Sequence, residues 1–128
     1  MPRMPFVNPD TVPEAGRPLV EQIKRERGGS VIALYQMLLN SPAICAGWLH
    51  LGTAVRYEAS LADGMRELII CRIALLTRAR YEWHHHQPIA LKSGVTQVQI
   101  DDLERWRESA AYSPAQRAAL AYAEQVTQ

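Results

Sequence analysis

The chain has 128 residues, of which 48% are hydrophobic and 21% are charged, and its formal net charge is +1. This length and composition predict one folded domain with a core of its own, and they exclude a disordered chain. Because acidic and basic residues are mixed along the chain, there is no basic patch for nucleic acid or for an anionic membrane, and we expect neither partner.

The N-terminal segment is rich in proline, since residues 1–17 hold four of the eight prolines. This predicts an extended N-terminal arm over residues 1–17, followed by a single helical domain over residues 18–128. No apolar run has the character of a signal peptide or the length of a membrane span. Cys45 and Cys71 are isolated thiols, without CxxC spacing or a disulfide framework. We therefore expect a cytoplasmic protein.

From residue 18 onward, apolar residues recur with the period of an α-helix. A first helix begins near Leu19 and ends at Gly28. Ser30 is a candidate N-cap for a second helix, and a third begins at Pro42 with Ser41 as its N-cap. The third helix carries one apolar stripe, made of Ile44, Trp48, Leu51 and Val55.

The second half of the chain continues as helices. Residues 63–77 are apolar on nearly every face, and the lack of a second strand to pair with favours a buried helix. A helix over residues 81–93 follows, kinked by Pro88 and closed by Gly94. Two later helices have start signals of the capping-box type, formed by Thr96 with Gln99 and by Ser113 with Gln116. The sequence therefore predicts an all-α fold of about seven helices.

One cluster concentrates the chemistry of the chain. Residues 81–86 read Tyr-Glu-Trp-His-His-His, and Glu82 and His86, four residues apart, share a helix face. Glu67 begins an apolar stripe on the preceding helix, where a carboxylate must be paired or protonated. Because only a short link joins the two helices, we expect them to pack antiparallel, with Glu67 meeting Glu82 or His86. Glutamate and histidine are well suited to proton transfer near neutral pH.

Other interpretations of these residues stay open at this point. Glu82 and His86 could be a surface pair at i, i+4 spacing, and Glu67 could be a helix-start residue favoured by the macrodipole. Glu82 and His85 match the Glu-x-x-His of di-iron bundles, but the chain has no second such motif, so we expect no metal. Arg72 is either a snorkelling side chain or an anion-binding group.

Three segments of the second half form a recognisable pattern, namely Arg-Glu-Leu-Ile-Ile at 66–70, the cluster at 81–86, and Ile-Ala-Leu-Lys-Ser-Gly-Val at 89–95. Together they resemble the carboxymuconolactone decarboxylase family, whose superfamily includes the alkylhydroperoxidase D proteins. The resemblance covers roughly residues 30–126. It implies an alkylhydroperoxidase D-like fold of helical hairpins that forms a homo-oligomer, a trimer, hexamer or dimer. Relative to the family pattern, the domain is expected to be short at its C-terminus.

The resemblance also implies a reaction. The peroxidase branch has a CxxC at the start of the cluster helix, but here that stretch reads Ala-Arg-Tyr-Glu, which lacks the nucleophilic and the resolving thiol. The decarboxylase branch uses no cofactor and converts a carboxylated muconolactone to an enol-lactone and carbon dioxide. The resemblance implies three catalytic residues, Glu67, Glu82 and His86. It also implies that the substrate site is lined by Tyr81 and His85.

We therefore expect a cofactor-free enzyme that transfers protons on a small carboxylated or lactone substrate. The alternatives are a redox member of the superfamily, of the alkylhydroperoxidase or peroxiredoxin type, that uses Cys45 or Cys71, and a non-catalytic oligomeric module. The last helix supports a homo-oligomer, because its apolar residues 118–123, with Leu120 at their centre, have no later element to cover them.

Overall fold

All regular elements of the structure, a computed structural model that describes residues 3–128, are helical. The described residues form seven α-helices and no strand, so the predicted all-α fold is confirmed. The helices are α1 (Arg17–Glu26), α2 (Ala33–Leu38), α3 (Pro42–Thr53), α4 (Asp63–Leu76), α5 (Arg80–Lys92), α6 (Gln97–Asp102) and α7 (Pro114–Thr127). Short 3₁₀ turns lie at Pro9–Thr11, Glu14–Gly16 and Leu103–Arg105, and a π-helical turn, Ala54–Glu58, follows α3.

The chain divides into two compact units, each with its own core. The N-terminal unit, up to Ala59, contains α1 to α3, and the C-terminal unit, Ser60–Gln128, contains α4 to α7. The division into an arm over 1–17 and one domain over 18–128 stays a prediction. None of the helices in the described part of the chain is long and apolar enough to cross a bilayer.

Two helix starts, those of α6 and α7, follow local capping signals in the sequence. Thr96 and Ser113 each accept a hydrogen bond from the backbone N–H three residues later and form complete capping boxes for α6 and α7. Gly94 adopts a positive φ of 93° after α5, as predicted. The prediction for Ser30 was wrong: α2 begins three residues later, because the extended backbone before it places Val31 in the core.

The apolar stripe of α3 faces solvent instead of the core. The buried face of this helix is formed by Cys45 and Leu49, both fully buried in the core of the N-terminal unit. The stripe residues are between 50% and 63% exposed, namely Ile44, Trp48, Leu51 and Val55. Residues 42–55 contain no aspartate, glutamate, lysine or arginine. We call these four side chains the α3 stripe.

Helix α7, which was expected to leave its apolar face uncovered, buries that face. The prediction that its apolar face is uncovered was wrong, because Leu120 is completely buried in the core of the C-terminal unit together with Leu68 and Trp106. Leu120 is buried because α4 has apolar residues on nearly all of its faces and therefore packs against α7 as well as against α5. Only the outer side of α7, with Tyr122 and Val126, faces solvent.

Helices α4 and α5 form the hairpin on which the predicted site is built. Their link is short, and Gly64 near the start of α4 approaches the end of α5 closely. A Cβ at position 64 would lie 2.8 Å from the carbonyl oxygen of Ser93, so only glycine permits this approach without a shift. The hairpin is therefore antiparallel, and Glu67 on α4 lies beside the first turns of α5.

Candidate active site

Glu67 is a completely buried carboxyl group on the second turn of α4. Its Oε1 lies 3.1 Å from Nε of Arg66, and its Oε2 lies 2.6 Å from Nδ1 of His86. The first turn of α4 holds Asp63, and Glu67 follows four residues later with no exposed surface. Glu67 is therefore a paired interior carboxylate and not an exposed helix-start residue.

His86 lies between two carboxyl groups. Its Nδ1 faces Glu67, and its Nε2 lies 3.3 Å from Oε2 of Glu82 on the same helix. The His86 side chain is 13% exposed and that of Glu82 is 43% exposed, so this arrangement connects the interior with the surface. The structure brings all three predicted site residues together, while their catalytic role stays a prediction.

The hydrogen-bond chemistry of the three groups fixes which nitrogen carries a proton. An ionised carboxylate only accepts hydrogen bonds, so the 2.6 Å contact requires the proton on Nδ1 when Glu67 is charged. Nε2 is then either protonated and donating to Glu82, or unprotonated and able to accept. A single nitrogen near the surface can thus release and take up a proton, while the buried carboxylate holds the ring. This arrangement suits general acid–base chemistry.

The remaining side chains of the cluster lie around this group. Tyr81 and His85 stack, with ring centroids 4.7 Å apart and ring planes 20° from parallel, at the exposed surface of α5. His84 is also exposed, and Trp83 packs against the core of the C-terminal unit. The substrate-lining role of Tyr81 and His85 stays a prediction.

A second buried charge pair, missed by the sequence analysis, joins α4 to α7. Nε and Nη2 of Arg72 lie 3.0 and 2.7 Å from Oε1 of Glu124, and Nη1 donates to two backbone carbonyls. Trp106 donates its indole N–H to the same oxygen at 2.8 Å, and Arg107 pairs with Oε2 at 2.6 Å. Arg72 therefore neither snorkels nor leaves its guanidinium free for an anion, and the pair has a structural role.

This network lowers the pKa of Glu124 to about 2. Burial alone would raise that pKa, but the hydrogen bonds from Arg107, Trp106 and Arg72, with the positive charge of Arg72, outweigh it. A signal for Glu124 was present in the sequence. Glu124 lies four residues after Leu120 and so shares its inward helix face. A carboxylate on such a face needs a partner, which is the argument that identified Glu67.

The two cysteines lack the environment of a reactive thiol. Cys45 and Cys71 are free and completely buried. Burial raises the pKa of Cys45 above its ordinary value, and burial together with the negative charge of Glu67 raises the pKa of Cys71 to about 11. Reactive cysteines have lowered pKa values and access to solvent.

Two pockets of the described residues lie elsewhere. One, of about 190 Å³, is lined by Asp102, Arg105, Glu108 and Ser109, and another, of about 320 Å³, lies against α1 in the N-terminal unit. Among residues 3–128, no group of three or more His, Cys, Asp or Glu side chains is arranged to hold a metal ion.

Comparison with known protein families identifies the family of the chain. The model of the Carboxymuconolactone decarboxylase family matches residues 42–125, well over half of the chain, and this range includes all of the Glu67, Glu82 and His86 cluster. Comparison with curated proteins and with solved structures gave no match. The chain therefore belongs to the carboxymuconolactone decarboxylase family, as the sequence resemblance indicated.

Proposed function

We propose that the protein is a cofactor-free enzyme of the carboxymuconolactone decarboxylase type, which transfers protons through His86 on a small carboxylated or lactone substrate. The observation that supports this most is the position of His86, with Nδ1 at 2.6 Å from buried Glu67 and Nε2 at 3.3 Å from half-exposed Glu82. Family membership supports the same reaction class.

The proposed reaction requires one proton donor. The bond between the ring carbon of the substrate and its carboxylate breaks, carbon dioxide leaves, and the electron pair moves into the lactone carbonyl as an enolate. The proton on Nε2 of His86 then transfers to the enolate carbon beside the lactone carbonyl, which gives the enol-lactone and leaves a neutral ring that still donates Nδ1–H to Glu67. A solvent proton, delivered by way of the Glu82 carboxyl group, restores Nε2–H. One proton is consumed in each turnover, which balances the reaction.

The test is carbon dioxide release by the purified protein, with carboxymuconolactone as the first of several small carboxylated lactones. A positioned general acid contributes about 10²–10⁴-fold, so His86→Ala should lose activity by about that factor. His84→Ala is the matched control, because His84 is an exposed histidine two residues away, and it should stay within about twofold. Equal losses in the two variants, or no turnover of any such lactone, would overturn the proposal.

The redox alternative has less support. Thiol peroxidase chemistry needs an accessible thiolate, and both cysteines are buried with raised pKa values. We expect iodoacetamide to leave the native enzyme active and hydroperoxides to remain unconsumed. Loss of activity in proportion to labelling of Cys71 would instead favour the redox alternative. If the protein were a non-catalytic module, it would neither release carbon dioxide from a lactone nor consume hydroperoxide.

We also propose that the protein is a homo-oligomer, with the α3 stripe in its interface. Four large apolar side chains on α3 and the π-helical turn after it are each at least half exposed. Exposed apolar surface that exceeds about a few hundred Å² is rare on soluble monomers and marks an interaction site. Because residues 42–55 contain no aspartate, glutamate, lysine or arginine, a second copy of this face can meet it without burying an unpaired carboxylate, ammonium or guanidinium group.

Light scattering coupled to size exclusion tests the interface. Trp48→Lys should shift the protein to monomers, because it would bury a charge at the centre of the contact. Val98→Lys is the control, since Val98 on α6 is equally exposed but lies outside the α3 stripe. A wild-type protein that is a monomer at micromolar concentration would overturn this proposal.

A further inference from the structure

Arg66 is a buried cation that the predicted set of site residues did not include. It lies on α4 directly before Glu67 and is only 7% exposed. Its Nε lies 3.1 Å from Oε1 of Glu67, and its Nη1 lies 2.8 Å from Oδ1 of Asp63. Asp63 is largely exposed, so a line of alternating charges runs from the surface through Asp63, Arg66 and Glu67 to His86.

The two oxygens of Glu67 have separate partners. Oε1 faces the guanidinium of Arg66, and Oε2 faces the ring of His86. A guanidinium stays charged at all pH values relevant here, and its planar N–H groups fix the orientation of a carboxylate as well as its charge. Contact with Arg66 therefore favours the ionised form of Glu67 and restrains rotation of its carboxyl plane. Both effects keep Oε2 directed at Nδ1.

We propose that Arg66 is a positioning residue for proton transfer, an inference that rests on the proposed function of His86. Arg66 holds Glu67 ionised and oriented, so that His86 keeps its Nδ1 proton toward the interior and presents Nε2 to substrate. In this role Arg66 acts through Glu67, whose Oε1 it contacts while Oε2 faces His86.

The expected effect combines a spectroscopic change with a kinetic one. Loss of the guanidinium removes one interaction that favours the ionised and oriented form of Glu67, and this weakens the preference of His86 for a proton on Nδ1. Arg66→Met should therefore lose the fixed Nδ1–H form of His86 and lower kcat by about 10–100-fold, the range found when metal-ligating histidines lose their outer hydrogen-bond partner. KM should change by less than about threefold, because Arg66 does not contact substrate. Arg66→Lys keeps the charge without the planar donors and should show smaller changes in the same direction.

The experiment is long-range ¹H–¹⁵N correlation of ¹⁵N-histidine-labelled protein, together with carbon dioxide release. Arg80→Met is the control, because it removes an exposed cation at the start of the cluster helix. If circular dichroism shows that Arg66→Met does not fold, Arg66→Lys decides. A folded Arg66 variant with the wild-type His86 spectrum and wild-type kcat would overturn the inference. The two proposals fail separately: a His86 spectrum that depends on Arg66, in a protein whose activity survives His86→Ala, would refute only the proposed function.

Discussion

Replacing Glu124 with glutamine tests whether the buried pair between α4 and α7 stabilises the fold through its charge. The glutamine has nearly the same shape and mimics a protonated glutamate, but it leaves the buried guanidinium of Arg72 without a full counter-charge. The pKa of Glu124 falls from its ordinary value of 4.5 to about 2. Since one pKa unit corresponds to about 1.4 kcal/mol, the charged form contributes about 3 kcal/mol to the free energy of unfolding at neutral pH.

The sign of the pH dependence follows from the lowered pKa. A carboxyl group with a lower pKa in the folded state contributes its full stability above its ordinary pKa of 4.5, and loses it as the pH falls toward 2. The difference between wild type and Glu124→Gln should therefore be about 3 kcal/mol at pH 7, roughly half of that at pH 3, and below about 1 kcal/mol at pH 2.

Urea unfolding followed by tryptophan fluorescence measures these differences at each pH. Glu104→Gln is the matched control, because Glu104 is an exposed carboxylate near the same network, and it should change stability by less than about 0.5 kcal/mol. A difference between wild type and Glu124→Gln that is the same at pH 7 and pH 3, or that stays below about 1 kcal/mol at pH 7, would refute the assignment of this stability to the charge.

Three further outcomes follow from the packing and the proposed chemistry. Gly64→Ala should destabilise the protein by about 1–3 kcal/mol in thermal unfolding, because its Cβ would lie 2.8 Å from the Ser93 carbonyl oxygen. Gly47→Ala is the control and should not destabilise the protein, because a Cβ at this helical position meets open space. Equal effects of the two substitutions would contradict the close approach at Gly64. Leu120→Glu should abolish cooperative unfolding, since it buries a charge in the core, while Tyr122→Glu on the exposed side of the same helix should be tolerated. Chelation with EDTA should leave lactone turnover unchanged, and loss of activity that one added metal restores would contradict cofactor-free chemistry.

Local signals accounted for most of the fold. Helical periodicity fixed the all-α class, and the capping boxes at Thr96 and Ser113 marked the starts of α6 and α7 because they act within one turn. The position of Glu67 on an apolar stripe predicted its burial, since an interior carboxylate needs a partner and the neighbouring helix supplied one. These inferences needed only residues close together in sequence.

Other features could not be predicted because they depend on long-range packing. Periodicity shows that α3 has an apolar stripe, but Cys45 and Leu49 form a second apolar face, and only tertiary structure decides which one is buried. The partner of Arg72 lies 52 positions later in the chain, a pairing that no local pattern reveals. Leu120 was expected to need an external partner because the sequence predicted a buried α4 without showing that α7 is one of the helices packed against it.

The protonation of the His86 ring tests the central claim most directly. Long-range ¹H–¹⁵N correlation on ¹⁵N-histidine-labelled wild-type protein distinguishes protonated from unprotonated ring nitrogens for each of the four histidines. The proposed mechanism predicts that His86 carries a proton on Nδ1 in the folded protein at neutral pH, because Nδ1 lies 2.6 Å from the buried carboxylate of Glu67. An unprotonated Nδ1 in the folded protein, or a ring whose proton exchanges between the two nitrogens, would contradict the account.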